Sequence, residues 1–215
     1  GIRTYRPENV NGNWDLSAKH RLNYSFGEGK KHSTGITSNF NYRNSVDLMA
    51  EAGAAQATRS TVRNAALSVA PKLSLTLGKH ALNITSDVSW NRYTGDRSTF
   101  QHISAWQYRI GADGTVHLPW QFDLTTDLTL YGRTGYADAQ LNTADLVWNA
   151  RLARPFCKGK LLVMVDGFDI LGQLSNVTRT VNAQGRTETY TNVMPRYALL
   201  HVMYRFTKHP KKKGK

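Results

Sequence analysis

Residues 195–206 read Pro195-Arg196-Tyr197-Ala198-Leu199-Leu200-His201-Val202-Met203-Tyr204-Arg205-Phe206. Side chains of an extended strand point alternately to its two faces. One face of this stretch is therefore Ala198, Leu200, Val202, Tyr204 and Phe206, and the other is Tyr197, Leu199, His201, Met203 and Arg205. The first face is apolar along its whole length and ends in two aromatic rings. The fold turns on whether the rest of the chain repeats it.

It does. From Trp14 to Phe26 the even positions are Trp, Leu, Ala, His, Leu, Tyr and Phe, against Asp15, Ser17, Lys19, Arg21, Asn23 and Ser25. A second strand carries Ile36, Phe40, Tyr42, Val46 and Leu48 opposite Asn39, Asn41 and Arg43. A third carries Leu67, Val69, Leu73, Leu75 and Leu77, with Pro71 removing one ladder donor and predicting a bulge or a weak pairing there. Leu82, Ile84, Val88 and Trp90 mark the fourth, and Trp106, Tyr108, Ile110, Ala112, Val116 and Leu118 the fifth. Phe122, Leu124, Leu128 and Leu130 mark the sixth, Leu146, Trp148, Ala150, Leu152 and Phe156 the seventh, and Leu161, Val163 and Val165 the eighth. With the final strand, the period-two pattern predicts an all-β chain of about nine meandering antiparallel strands.

The connections alternate as well. Short turns (27–31, 78–80, 119–121, 157–160) alternate with longer loops (1–13, 49–61, 93–102, 134–143, 169–194). Aromatic residues gather at strand ends, among them Trp14 and Phe26, Trp90 and Tyr93, Trp120 and Phe122, and Tyr204 and Phe206. Short turns on one side, long loops on the other and aromatic girdles at both levels are marks of a transmembrane β-barrel.

Composition agrees with strands rather than helices as the spanning elements. Apolar residues make up 40% of the chain and the mean hydropathy is -0.49. No run approaches the roughly 18–20 apolar residues of a membrane helix, whereas a barrel strand needs only alternate residues to be oily. The alternative is a soluble, glycan-binding β-sandwich, whose strands are usually about 5–6 residues long. These segments run to ten or more, near the roughly 9–11 that cross a bilayer. Their apolar face carries almost no charge. Arg154 is the clear exception, close enough to a turn for its stem to snorkel. The charges lie on the other face, where Arg21, Arg43, Asp87, Arg109, Asp127, Arg133, Arg151 and Arg205 would line a wet lumen and Leu200, Val202, Tyr204 and Phe206 would face lipid.

Net charge is +13, and five lysines fall in the last nine residues. The remaining charge is spread along strands and turns with acids interleaved, which does not suit a nucleic-acid groove. It does suit phosphate-bearing lipid, lipopolysaccharide included, which Arg92 and Arg97 could grip by bidentate contacts. Residues 1–206 are thus expected to be one sector of a membrane barrel, and 207–215 a basic periplasmic tail. An odd strand count and two unpaired edges predict that the sector belongs to a larger barrel.

Several short motifs carry a resemblance. They are Arg6-Pro7-Glu8-Asn9-Val10, Leu118-Pro119-Trp120, Gly135-Tyr136, Leu146-Val147-Trp148-Asn149-Ala150-Arg151-Leu152, Lys158-Gly159-Lys160-Leu161, Gly167-Phe168-Asp169-Ile170-Leu171 and the closing strand. Together they resemble the C-terminal part of the TonB-dependent-receptor-like outer-membrane β-barrel proteins of Bacteroidota. The resemblance implies a large barrel preceded by a plug and often by a small carboxypeptidase-regulatory-like β-domain. Such barrels import nutrients or metal chelates with energy delivered through TonB. It further implies insertion by the barrel-assembly machinery acting on the C-terminal strand, and contact with TonB through parts upstream of Gly1.

Catalytic chemistry is not expected. The histidines show neither HxH nor HExxH spacing, no GxSxG elbow is present, and the single cysteine, Cys157, sits in a turn. No cofactor or metal is implied. The candidate ligand residues lie in the longest loop: Gln173, Asn176, Arg179, Asn182, Arg186, Glu188 and Tyr190. A structural or adhesive barrel that binds a partner through such loops is the second functional expectation.

Overall fold

The computed structural model describes residues 9–49, 57–98, 100–174, 177–182, 185–190, 194 and 196–206. In chain order the strands are β1 (Trp14–Phe26), β2 (His32–Met49), β3 (Thr58–Leu77), β4 (His80–Gly95), β5 (Ile103–Leu118) and β6 (Phe122–Thr134). They continue as β7 (Thr143–Phe156), β8 (Leu161–Phe168), β9 (Val177–Asn182), β10 (Gly185–Tyr190) and β11 (Tyr197–Tyr204). Strands β1 to β8 and then β11 form one nine-stranded sheet, each hydrogen-bonded to the next, while β9 and β10 make a separate hairpin. Every pairing is antiparallel.

Register joins the oily residues of each strand to those of its neighbours. Phe40 lies opposite Leu67, Leu67 opposite Trp90, and Trp90 opposite Trp106. Further along, Ile84 meets Ala112, Ala112 meets Leu128, and Leu128 meets Trp148. Leu152, Val165 and Leu200 extend the surface to the last strand. A slip of one residue anywhere would have put polar side chains into this row. The nine strands therefore share a single continuous apolar face.

Apart from Gly12, which lies against Val46 near the long-loop end, nothing in the described residues covers that face. Among the described residues the buried hydrophobics are only Val46, Ala105, Leu141 and Val147, whereas Leu200, Val202 and Phe206 are 69%, 64% and 90% exposed. Soluble monomers rarely show apolar patches beyond a few hundred Å². A sandwich would bring a second sheet against these leucines and tryptophans, and the only other sheet among the described residues is the two-stranded hairpin. That overturns the sandwich and leaves hydrocarbon as the solvent of this face.

Several sequence expectations are corrected by the strand bounds. The loops placed at 49–61 and 93–102 are shorter, because β3 already begins at Thr58 and β4 runs to Gly95. The connection 169–194 contains the β9–β10 hairpin. Pro71 makes no bulge: Val69 pairs with Val88 and Lys72 with Thr85, so the register is unchanged and only the pairs between them are missing. The weak pairing is what the missing proline N–H produces.

Gly132 shows how tightly the oily face is packed. It lies opposite Tyr108, and a Cβ on Gly132 would overlap the hydroxyl end of the tyrosine ring. Gly132→Val should expel the ring and lower stability by about 1–3 kcal/mol, the usual cost of overpacking. The urea midpoint of the refolded protein reads this directly, and Gly111→Ala, with looser surroundings, should move it less.

Candidate functional site

Two aromatic belts bound the apolar face. On the long-loop side Trp14 stacks on Tyr42 with centroids 5.2 Å apart, and Trp90 lies 6.4 Å from Trp106. The Trp90 indole N–H donates to Ser104 Oγ at 3.1 Å, the wet end of an amphipathic ring. On the short-turn side Tyr24 stacks on Phe26 at 6.2 Å and Tyr204 packs edge-on to Phe206 at 4.6 Å. Trp14 and Tyr24 are ten residues apart. With a rise of ~3.4 Å per residue and a tilt of ~45°, the belts stand about 24 Å apart. That matches the ~25 Å apolar band of outer-membrane barrels.

Arg154 falls inside the short-turn belt, and its guanidinium lies 4.9 Å from the Phe122 ring centroid and 4.8 Å from that of Phe156. Ring faces thus hold the charge at the interface. Arg154 is not alone on this face, however. Leu48 pairs with Arg59, Asn44 with Arg63, and Ala65 with Arg92, so register puts these three arginines on the same side, beyond the long-loop belt.

The opposite face carries the charged residues, gathered into separate hollows. Asp87, Arg109 and Arg133 line one of about 420 Å³ with Gln107, Tyr131 and Asp145. There Asp87 pairs in register with Arg109, whose guanidinium lies 5.9 Å over the Tyr131 ring. Asp127 and Arg151 line a second of about 150 Å³, Arg21 and Lys72 a third of about 380 Å³, and Arg205 and Asp123 a fourth of about 260 Å³. Arg43 pairs in register with Asp15 and Asn64. These charges share a face and do not converge on one centre.

The tightest polar cluster joins β7, β8 and β11. Arg151 donates from Nε and Nη2 to the two oxygens of Asp166, the second at 3.2 Å. His201 Nε2 lies 2.8 Å from Asp166 Oδ2 without making a hydrogen bond to it. Beside it Asn149 donates to Asp127 at 2.9 Å and accepts the Asp169 N–H at 2.8 Å. The Asp169 carboxylate in turn accepts the N–H groups of Gln173 and Leu174, both at 3.0 Å. Alternation alone places Asp166 and Asn149 on the wet face but does not show which strands they tie.

Of the candidate ligand loop, Gln173 is committed to the sheet. Its Oε1 accepts the Leu146 N–H at 3.0 Å, so that side chain continues the β7 ladder. Asn176 lies outside the described residues. Arg179, Asn182, Arg186, Glu188 and Tyr190 belong to the hairpin, where register sets Arg179 opposite Glu188 and Asn182 opposite Gly185. Leu200, Val202, Tyr204 and Phe206 all stand exposed on the apolar face of the sheet.

One rim contact responds to pH. Asp96 Oδ1 accepts the Thr61 N–H at 2.9 Å, and that amide holds the Asp96 carboxyl below the usual carboxylate range, with Arg63 adding a smaller pull. A depressed folded-state pKa means the tie is complete above the ordinary carboxylate pKa and is lost as pH falls through the lowered one. The Thr61 amide resonance should therefore titrate at an acidic midpoint, below that of a free aspartate. In Asp96→Asn it should not titrate.

One tall antiparallel sheet, oily on one side between two aromatic belts and charged on the other, is a sector of a transmembrane β-barrel. A family model described as the outer membrane protein beta-barrel family matches residues 6–204. The chain belongs to that family, and its place is the bacterial outer membrane. No curated protein and no solved structure matches it.

Proposed function

We propose that the barrel containing this sheet takes up solutes across the outer membrane in the manner of the TonB-dependent-receptor-like proteins of Bacteroidota. The open sheet carries the reading. Nine strands run from β1 to β11 without closing, and each end strand has an edge with no partner among the described residues. Each unpaired backbone group in hydrocarbon costs several kcal/mol, so further strands must complete the ring. Barrel diameter grows with strand number, and a ring larger than nine strands encloses a wide lumen. Here that lumen would be lined by Asp87, Arg109, Asp127, Arg133 and their neighbours.

In this reading a plug closes the lumen and TonB supplies the energy. The barrel-assembly machinery receives β11 as the closing strand, and no side chain acts as a catalyst. Planar-bilayer recording of the protein purified from outer membranes tests it. A plugged importer shows no steady current until a urea pulse displaces the plug, then opens widely, and its uptake in cells collapses with the proton gradient. Steady conductance from the start would contradict the plug, and silence after urea would contradict the wide lumen.

The β9–β10 hairpin favours the second reading, a barrel that holds a partner by its outer loops. Under it, deleting 175–193 abolishes partner binding and leaves no uptake defect. Under the importer reading, uptake is the function that disruption of the barrel removes.

A further inference from the structure

The arginines beyond the long-loop belt form a surface that neither the lumen nor the hydrocarbon explains. Arg63 and Arg92 are exposed and lie on adjacent strands, Arg63 opposite Thr94 and Arg92 opposite Ala65. That is a diagonal placement, with backbone positions roughly 7–8 Å apart, so two long side chains can converge on one tetrahedral anion. Their face is the membrane-facing one, because Leu67, Trp90 and Trp106 continue it inward.

Depth fits a headgroup. Arg92 is two residues beyond Trp90, which at ~3.4 Å per residue and ~45° tilt puts it about 5 Å above the belt. Tryptophan belts sit at the headgroup level, so the next layer outward is where lipid phosphates lie. Arg59 flanks the pair, with its Nη2 donating to the Asn11 carbonyl at 3.0 Å. Asp96 is the one acid of the patch among the described residues, and its carboxylate is occupied by the Thr61 N–H. Three guanidiniums against one engaged carboxylate leave the patch cationic.

We propose that Arg63 and Arg92 form a site for a phosphate group of the outer-leaflet glycolipid, lipopolysaccharide, held from the membrane side with Arg59 at its flank. Guanidinium is suited to this role, since its planar fork meets two phosphate oxygens at once. Lumenal arginines such as Arg21 and Arg43 carry the same charge on the opposite face and have no access to a headgroup. The site rests on the face assignment and not on uptake, so it stands whether or not the barrel imports a solute.

The test is retention of lipopolysaccharide by the detergent-purified full-length protein, measured by titrating defined lipopolysaccharide and recording bound lipid by native mass spectrometry. Arg63→Gln/Arg92→Gln should weaken binding at least tenfold, and Arg92→Gln alone should weaken it by a smaller factor if the double variant does not refold. Arg63→Lys/Arg92→Lys should fall between wild type and the glutamine pair. Arg21→Gln/Arg43→Gln should bind as wild type does. Enzymatically dephosphorylated lipopolysaccharide should bind wild type as weakly as the intact lipid binds the double glutamine variant. The proposal is overturned if Arg63→Gln/Arg92→Gln, or Arg92→Gln where only that variant folds, retains lipid as wild type does. It is equally overturned if dephosphorylation makes no difference. Inorganic phosphate that displaces the lipid at equal concentration would mark a site for a soluble anion and would also overturn it.

Discussion

Replacing Ile84 by arginine should destabilise the folded barrel by about 2–4 kcal/mol, the cost of a guanidinium at the bilayer midplane. On β5, Ala112 lies midway between Trp106 at the long-loop belt and Leu118 at the short-turn end, and Ile84 is its register partner. From that depth an arginine stem cannot readily carry its charge to either interface. Thr85→Arg on the next residue points to the lumen, beside the register partners Lys72 and Gly111, where water remains. It should change stability by no more than about 0.5 kcal/mol. Reversible urea unfolding in vesicles, followed by tryptophan fluorescence, reads both. Equal effects at the two sites would mean that the faces do not differ in solvent.

The second large effect is expected at Asp169, where β8 leaves the sheet. Its side chain is buried, accepts two backbone N–H groups, and its own N–H is bonded to Asn149. Its φ is 45°, a region that non-glycine residues seldom occupy and that Asn and Asp tolerate best. Asp169→Ala leaves both donors without an acceptor and keeps the unfavourable backbone, so a loss of about 2–3 kcal/mol is expected. Asp169→Asn retains one acceptor oxygen and the backbone tolerance, and should lose less than half as much. The same unfolding experiment separates them. An alanine variant within about 0.5 kcal/mol of wild type would show that this corner is held by something else.

The oily face is legible because hydrocarbon imposes a strict rule on every second residue. From Trp14 to Phe206 the alternation names the apolar side strand by strand, and the register joins those residues into one row across all nine. The rule stops where the bilayer stops. Beyond the belt, Thr58 to Thr61 and Tyr93 to Gly95 show no oily row, so they read as loop although the ladder continues through them. Arg59 therefore cannot be recognised from sequence as a member of the membrane-facing row. The β9–β10 hairpin escapes for the same reason, since Thr178-Arg179-Thr180 and Arg186-Thr187-Glu188 show no oily side. At the candidate site, alternation says that Arg151 and Asp166 share the wet face. That Asp166 also meets His201 depends on β8 pairing with β11 across the long connection, which no local pattern encodes. Gln173 reads in sequence as a free loop amide, and only the fold shows it bound to Leu146.

Which side of the sheet meets lipid is tested most directly by nitroxide scanning along β4. With Cys157 replaced by serine, single cysteines from Leu82 to Trp90 are spin-labelled in the protein reconstituted in vesicles, and collision with oxygen is compared with collision with a water-soluble nickel chelate. The predicted result is a period of two, with oxygen favoured at Leu82, Ile84, Ser86 and Val88 and the chelate favoured at Asn83, Thr85, Asp87 and Ser89. Uniform accessibility, or the opposite alternation, would contradict the assignment of the apolar face to the membrane.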